Sequence, residues 1–325
     1  MRRRVTDSAS NPGVFRGEIS FDTPALRGHH FPCVEITGDR PGPRLCVTAG
    51  VHVNEVSSIE AAIRLPSHFT RDTLRGSVSI IPAVNQPAWH TYTEYTCPVD
   101  GKNINFSFPG RPDGSFSEAL CNALLYEWAP DADVYVDLHG GDLREEVAKF
   151  VMFQRVGDSG IDAKRAEMAN CFDADFVVGL EAHHLGSPGR AITARASIGG
   201  HGVMPEAGAH GIVDAVSVEY HVNGVLSLAT LLGMIDGPPL PPSRGHIACD
   251  RYLWVPCTAD GFLRSTVEPG ERVLRGQALG VLHDVFGTPV GQIAAPETGY
   301  VLWRITHPVM RTGDTAFGLG CPAQE

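Results

Sequence analysis

The stretch R-L-C-V-T-A-G-V-H-V-N-E-V-S-S-I-E-A-A, Arg44 to Ala62, decides the fold. It begins as an apolar β-type run over Leu45–Thr48, breaks at Gly50 and resumes as a helical pattern from Glu55. There Val56, Ile59, Ala62 and Ile63 recur at three- and four-residue intervals. A strand that turns directly into a helix is the unit of an open α/β sheet, whose ligand sites lie outside the carboxyl ends of the strands. His52 and Glu55 stand at that junction. Both are zinc-ligand types, and their spacing lets one ion touch both. An isolated pair of this kind also reads as a surface histidine and a first-turn glutamate that favours the helix dipole.

A second stretch narrows the choice. D-V-Y-V-D-L-H-G-G, Asp133 to Gly141, is another short β-type run, ending in His139 and two glycines. His139 therefore also sits at the carboxyl end of a strand, where it can face the first pair. Three protein ligands with one position left for water is the pattern of a catalytic zinc rather than a structural one. Asp137, two residues before His139 on the same run, can share its face and serve as a hydrogen-bond partner to the histidine.

The chain has 325 residues, 43% hydrophobic and 19% charged, enough for a sizeable core and for two domains. A formal charge of −11 argues against nucleic acid and anionic membrane surfaces as partners. No apolar run approaches the roughly 20 residues that span a bilayer. The basic amino terminus, M-R-R-R-V-T-D, has no apolar segment behind it and reads as a frayed tail rather than a secretory signal. Eight cysteines without a single C-x-x-C suggest reduced thiols in a cytoplasmic protein.

In chain order, short β-like pieces over Val14–Ile36 precede the first βα unit, and a further β run covers Ser77–Asn85. An irregular segment from Gln86 to Ser115 is too long for a neutral connector and is expected to be functional. Ser117 is expected to cap a helix reaching Trp128. A helix over Asp162–Cys171, a strand over Asp175–Val178 and an amphipathic helix over Asp214–Ile235 follow. D-G-P-P-L-P-P-S-R-G, Asp236 to Gly245, breaks all periodicity, and short β runs with glycine turns fill the remainder. The expected organisation is a flexible tail (1–13), a catalytic domain (14–236), a linker (237–245) and a small all-β domain (246–325).

If His52, Glu55 and His139 hold Zn²⁺, a carboxylate is still needed to take a proton from water and pass it to a leaving nitrogen. Glu206, in M-P-E-A-G, is favoured over Glu219, which falls inside a helical pattern and reads as solvated. His201 and His210 bracket Glu206 and are candidates for lining a pocket. His183-His184 has no partner at ligand spacing and reads as loop.

G-V-H-V-N-E, D-L-H-G and P-E-A-G, in this order, resemble the succinylglutamate desuccinylase/aspartoacylase family. The resemblance implies a carboxypeptidase A-like mixed sheet flanked by helices, with a C-terminal all-β barrel-sandwich domain. It also implies zinc amide hydrolysis, with one ion on His52, Glu55 and His139 and with Glu206 as general acid/base. A homo-oligomer, a dimer or higher, is implied too. Two departures concern substrate. In K-N-I-N-F-S-F-P-G, Asn105 matches the family's Asn-Arg pair, but Phe106 occupies the position of a carboxylate-binding arginine. Tyr95 stands where a second arginine meets the scissile carbonyl; it could donate to an oxyanion or simply pack. Phe cannot replace a bidentate arginine, so the substrate is expected to lack that carboxylate unless Arg144, Arg190 or Arg195 supplies a cation from another loop. The terminal β region resembles a biotinyl/lipoyl-type barrel, but the last lysine is Lys164, so a structural or site-covering role fits better. The expected function is hydrolysis of a small N-acylated amine or amino acid. A carboxypeptidase-like peptidase and a non-catalytic zinc- or ligand-binding protein are the alternatives.

Overall fold

In the computed structural model, residues 1–5, 13–89, 91, 95–185, 189–240, 243 and 245–323 are described. Strand Arg40–Ala49 lies at the centre of a fourteen-stranded mixed sheet, parallel to Arg75–Ile81 on one side and to Val134–Leu138 on the other. Val134–Leu138 pairs in parallel with His201–Ala209, which runs antiparallel to Glu145–Gln154. Such a strand is buried on both faces and needs a continuous apolar run. Leu45, Cys46, Val47, Val134 and Val136 meet that need, each with no exposed surface.

Helices cover both faces. Helices α1 (Val56–Arg64), α3 (Ser159–Ala169) and α5 (Ala215–Leu231) contribute Ile59, Met168, Val225 and Leu228 to one core layer. Helices α2 (Phe116–Ala123) and α4 (Ala191–Ser197) contribute Phe116, Leu120 and Ala194 to the other. Each fully buried Leu, Ile or Val contributes about 1.5–3 kcal/mol, so these two layers hold the strand ends in place. Ile63, expected on the apolar face of α1, is instead 55% exposed.

The cap of α2 differs from expectation. Ser115 and Glu118 form a reciprocal capping box. Ser117 is occupied elsewhere, its N–H and hydroxyl both donating to Asp100 at 2.8 Å. That contact ties the irregular segment to the helix. Beyond Ala123 the helix widens into a π turn over Leu124–Trp128.

Arg2–Val5, expected in a tail, pairs antiparallel with Val14–Ser20 as an edge strand. The terminal β region forms a second sheet of four strands and also extends the main sheet. Gly299–Ile305 pairs with Glu145–Gln154, and Ile247–Cys249 pairs with Phe176–Leu180. Residues downstream of the Pro/Gly segment are thereby fixed beside the strand ends that carry His139 and Glu206. Among the described residues no helix is long and apolar enough to cross a membrane.

Candidate active site

Gly50 ends the central strand at φ +65°, and a Cβ there would stand 2.9 Å from Ala83 Cα. Only glycine makes this turn without strain, and the turn places His52 and Glu55 beneath the strand ends. Glu55 occupies the N-cap of α1 but makes no side-chain cap. Its carboxylate is directed to histidines instead. Oε1 lies 2.5 Å from His52 Nδ1, and Oε2 lies 2.9 Å from His139 Nδ1. All three side chains are buried, and their ligand atoms fall within 4.8 Å of one another.

A pair of hydrogen bonds fixes the tautomer of His52. Asn103 Oδ1 accepts the Asn105 backbone N–H at 2.9 Å, which identifies it as the amide oxygen. His52 Nε2, 3.0 Å from that oxygen, must therefore donate to it. His139 Nε2 lies 3.2 Å from Asp137 Oδ2, and Asp137 Oδ1 accepts from Thr48 Oγ1 at 2.7 Å. With its Nε2 acting as donor, His52 turns an Nδ1 lone pair to the Glu55 carboxylate; His139 presents Nδ1 to the same carboxylate, with Asp137 beside its Nε2. Two ring nitrogens and a carboxylate meeting in a buried space suit a cation among them. His₂Glu with imidazoles oriented by an amide and a carboxylate is the donor set of a catalytic divalent-metal site, so these residues fit the metal. Substituting Asp137→Asn or Asn103→Ala should weaken metal affinity about 10–100-fold. Equilibrium dialysis against a competing chelator checks this; unchanged affinity in both variants would mean that neither residue orients a ligand.

Glu206 is the register partner of His139 on the neighbouring strand. The His139 N–H donates to the Pro205 carbonyl at 3.0 Å. The strands approach this closely because residue 140 is glycine: a Cβ there would lie 2.1 Å from the Ala207 carbonyl oxygen. Burial pushes the Glu206 carboxyl well above the usual carboxylate range. His139 and Arg190 pull it down, while Glu55 and Glu145 push it further up. A carboxyl so displaced holds a proton more readily than an exposed glutamate, which suits a group that accepts a proton and returns it. Glu219 is exposed on α5.

These groups line a cavity of about 670 Å³, together with Tyr95, Asn105, Arg144 and Arg190. The long irregular segment delivers Tyr95, Asn103 and Asn105. Tyr95 packs edge-on against His52 with centroids 5.4 Å apart, and its hydroxyl lies towards Glu145. The terminal β region closes the other side with Tyr252, Trp254 and Trp303. Trp303 Nε1 donates to the Tyr252 hydroxyl at 2.6 Å.

Three expected pocket residues lie elsewhere. Arg195 is buried and donates to the carbonyls of Ala129, Pro130 and Ala132, closing the loop after the π turn. His201 begins its strand, at the end of the sheet opposite Glu206, with Lys164, Arg165, Arg195 and Asp133 as its charged surroundings. His210 turns out of the sheet at φ 57° and is exposed, its Nδ1 3.5 Å from the Thr306 hydroxyl. Phe106 stands beside the cavity rather than in its wall and is 43% exposed. The Arg190 guanidinium lies 5.3 Å from the centre of its ring and 5.6 Å from that of Tyr252. A cation thus returns to the neighbourhood in which the sequence has no arginine, and Phe106 alone does not argue for a substrate without a carboxylate. Sequence reasoning missed Asn103, Glu145 and the aromatic wall. The one signal for that wall was the alternation of Tyr252 and Trp254 on a short β run.

A buried His₂Glu cluster beside an elevated carboxyl, at the carboxyl ends of strands in a mixed α/β sheet, is the arrangement of hydrolases that cleave C–N bonds. Residues 41–232 match the succinylglutamate desuccinylase/aspartoacylase catalytic domain, and the chain belongs to that family. It is 28% identical over 308 residues to the N-alpha-acetyl-L-2,4-diaminobutyric acid deacetylase of Halomonas elongata, covering 93% of this chain and 89% of that protein. The product-bound ectoine utilization protein EutE (DoeB) of Ruegeria pomeroyi is similar in structure, with a TM-score of 0.84 at 25% identity over 98% of each chain. A succinylglutamate desuccinylase/aspartoacylase structure from Rhodobacter sphaeroides shares the fold, with a TM-score of 0.80 at 24% identity, covering 96% of this chain and 95% of that one.

Proposed function

We propose that this protein is a zinc-dependent deacylase that hydrolyses the amide of a small N-acylated amino acid, with one ion per chain on His52, Glu55 and His139. The carrying observation is the convergence of two buried ring nitrogens and a carboxylate beside Glu206 in one cavity. Zinc bound there would supply a Lewis acid for the amide carbonyl and lower the pKa of a water towards about 7. Glu206 takes the proton released by the attacking water and returns it to the leaving nitrogen. Asn103 holds His52 in the tautomer that keeps Nδ1 unprotonated, and the Asp137 carboxylate stands 3.2 Å from His139 Nε2. Tyr252, Trp254 and Trp303 exclude bulk water from the cavity, which strengthens every charge interaction inside it.

Arg190 is assigned to a substrate carboxylate. Its Nε is buried without a hydrogen-bond partner, in the same cavity as Glu206. Arg190→Met should raise KM for an N-acyl amino acid about tenfold or more, since a charge-assisted contact is lost. It should also move the acid limb of the pH–rate profile upward, because removing a nearby positive charge disfavours ionised Glu206. An unchanged KM and an unchanged limb would remove Arg190 from the site.

The reading as a whole is tested by following free amine released from a panel of N-acyl amino acids, including Nα-acetyl-2,4-diaminobutyrate, the compound in the name of the Halomonas relative. Metal-dependent release supports it. No release from any member of the panel by metal-loaded protein would overturn it.

A further inference from the structure

Strand Glu145–Gln154 lines the cavity with Glu145, Val147, Phe150 and Met152. Side chains alternate along a strand, so the step of three between Val147 and Phe150 requires an extra residue. Val147 pairs with Gly208 and Phe150 with Glu206, and Ala148 and Lys149 together oppose Ala207 in a β-bulge. The bulge disrupts the ladder beside Glu206 on that side. On the other side the strand carrying Glu206 is lightly held. Beyond Val136–Val203 its pairing with Val134–Leu138 narrows to the single bridge His139–Glu206. Pro205 has no N–H to give, and the Ala207 N–H reaches the His139 carbonyl only at a long 3.4 Å.

Helix α5 packs on the opposite face of the sheet, in the layer that holds Val151, Val203 and Ala207. It turns two adjacent polar side chains to the backbone there. The buried Tyr220 hydroxyl donates to the Phe150 carbonyl at 2.9 Å. The His221 ring, with no exposed surface, meets the backbone of Ala207 and that of His139. The two rings pack edge-on, with centroids 5.1 Å apart. Neither residue lines the cavity. Apolar side chains would fill this layer without desolvating a hydroxyl and an imidazole. What the polar pair adds is a fixed position for the strands.

We infer that Tyr220 and His221 are positioning residues for the deacylation: from beneath the sheet they lock the bulge and hold Glu206 at its working distance from the His52–Glu55–His139 cluster. Tyr220 fixes Phe150, the register partner of Glu206 on one side. His221 fixes Ala207, the next residue in the chain, and His139, the register partner on the other side. The inference rests on the deacylase reading and its assignment of Glu206. Neither residue touches substrate or moves a proton. A general acid/base works only within hydrogen-bond reach of the atom it serves, and a misplacement of about 1 Å caused by a remote change can cost about 10²-fold in rate.

The test is a double-mutant cycle against Glu206→Gln. It uses Tyr220→Phe, which removes one oxygen and keeps the ring, and His221→Leu, with His221→Asn and His221→Gln as polar replacements. Tyr220→Phe and His221→Leu should each lower kcat about 10–100-fold, with KM and bound metal unchanged. At least one of His221→Asn and His221→Gln should recover most of the loss. In the Glu206→Gln background the same changes should cost less than about twofold, because the group they position is already gone. Hydrogen–deuterium exchange of the 201–209 segment reads the locking without turnover, and it should quicken in Tyr220→Phe and His221→Leu well below the unfolding temperature. Losses that multiply with that of Glu206→Gln, wild-type kcat in Tyr220→Phe, equal losses in all three His221 variants, or unchanged exchange would overturn the inference and leave the deacylase reading standing. Full activity in Glu206→Gln would instead defeat the assignment of Glu206 and this inference with it.

Discussion

Glu206→Gln should lower kcat by about 10²–10⁴-fold, the range associated with a positioned general acid/base, with bound metal unchanged. Glutamine keeps the size and the hydrogen-bonding of the side chain but cannot carry the proton. KM should move little, because Glu206 adjoins His139 on the next strand and faces the reacting bond rather than the ends of the substrate. In wild type, kcat/KM should fall on the acid side of a pKa well above 4.5, since burial favours the protonated carboxyl and only the ionised form accepts a proton. The sign is fixed: an acid whose pKa is raised loses its base form at higher pH than an exposed glutamate does. Steady-state kinetics across pH, together with metal analysis of the variant, check both statements. Near-wild-type turnover in Glu206→Gln would assign the proton transfer to another group.

His139→Ala should have a comparably large effect by a different route. Removing one of three ligands leaves the Glu55 carboxylate and the His52 imidazole buried with an incomplete shell. Metal binding and turnover should be lost together. Stability should also fall where the holoenzyme is compared, because an ion that binds only the folded state adds RT ln(1 + [L]/Kd). Metal analysis and thermal unfolding with and without added zinc separate the two contributions. A variant that keeps stoichiometric metal and activity would show that His139 is not a ligand.

Much of the architecture was legible because it is local. The Arg44–Ala62 and Asp133–Gly141 stretches each encode a strand, a glycine turn and a site residue within twenty positions or fewer of chain. What failed was inference from proximity in sequence. His201 and His210 flank Glu206, but an extended strand rises about 3.3 Å per residue, so His201 lies at the far end of the sheet. The positive φ at His210 turns its ring outward. Arg195 was a plausible cation, yet a helix followed by a π turn leaves carbonyls unsatisfied, and its guanidinium takes them. The Arg190–Phe106 contact joins residues more than eighty positions apart and has no local signature. Glu145 reads as the first residue of an ordinary strand until burial beside Tyr95 sets it apart. The terminal β region was expected beside the site, but its aromatic wall depends on Gly299–Ile305 pairing with Glu145–Gln154, a register that composition does not reveal.

The most direct measurement is anomalous diffraction at the zinc edge from crystals of protein shown to be active in the same preparation. The account predicts one peak per chain between His52 Nδ1, His139 Nδ1 and the Glu55 carboxylate, with activity lost on chelation and restored by one equivalent of zinc. A preparation that turns over substrate with no peak at this position would contradict it.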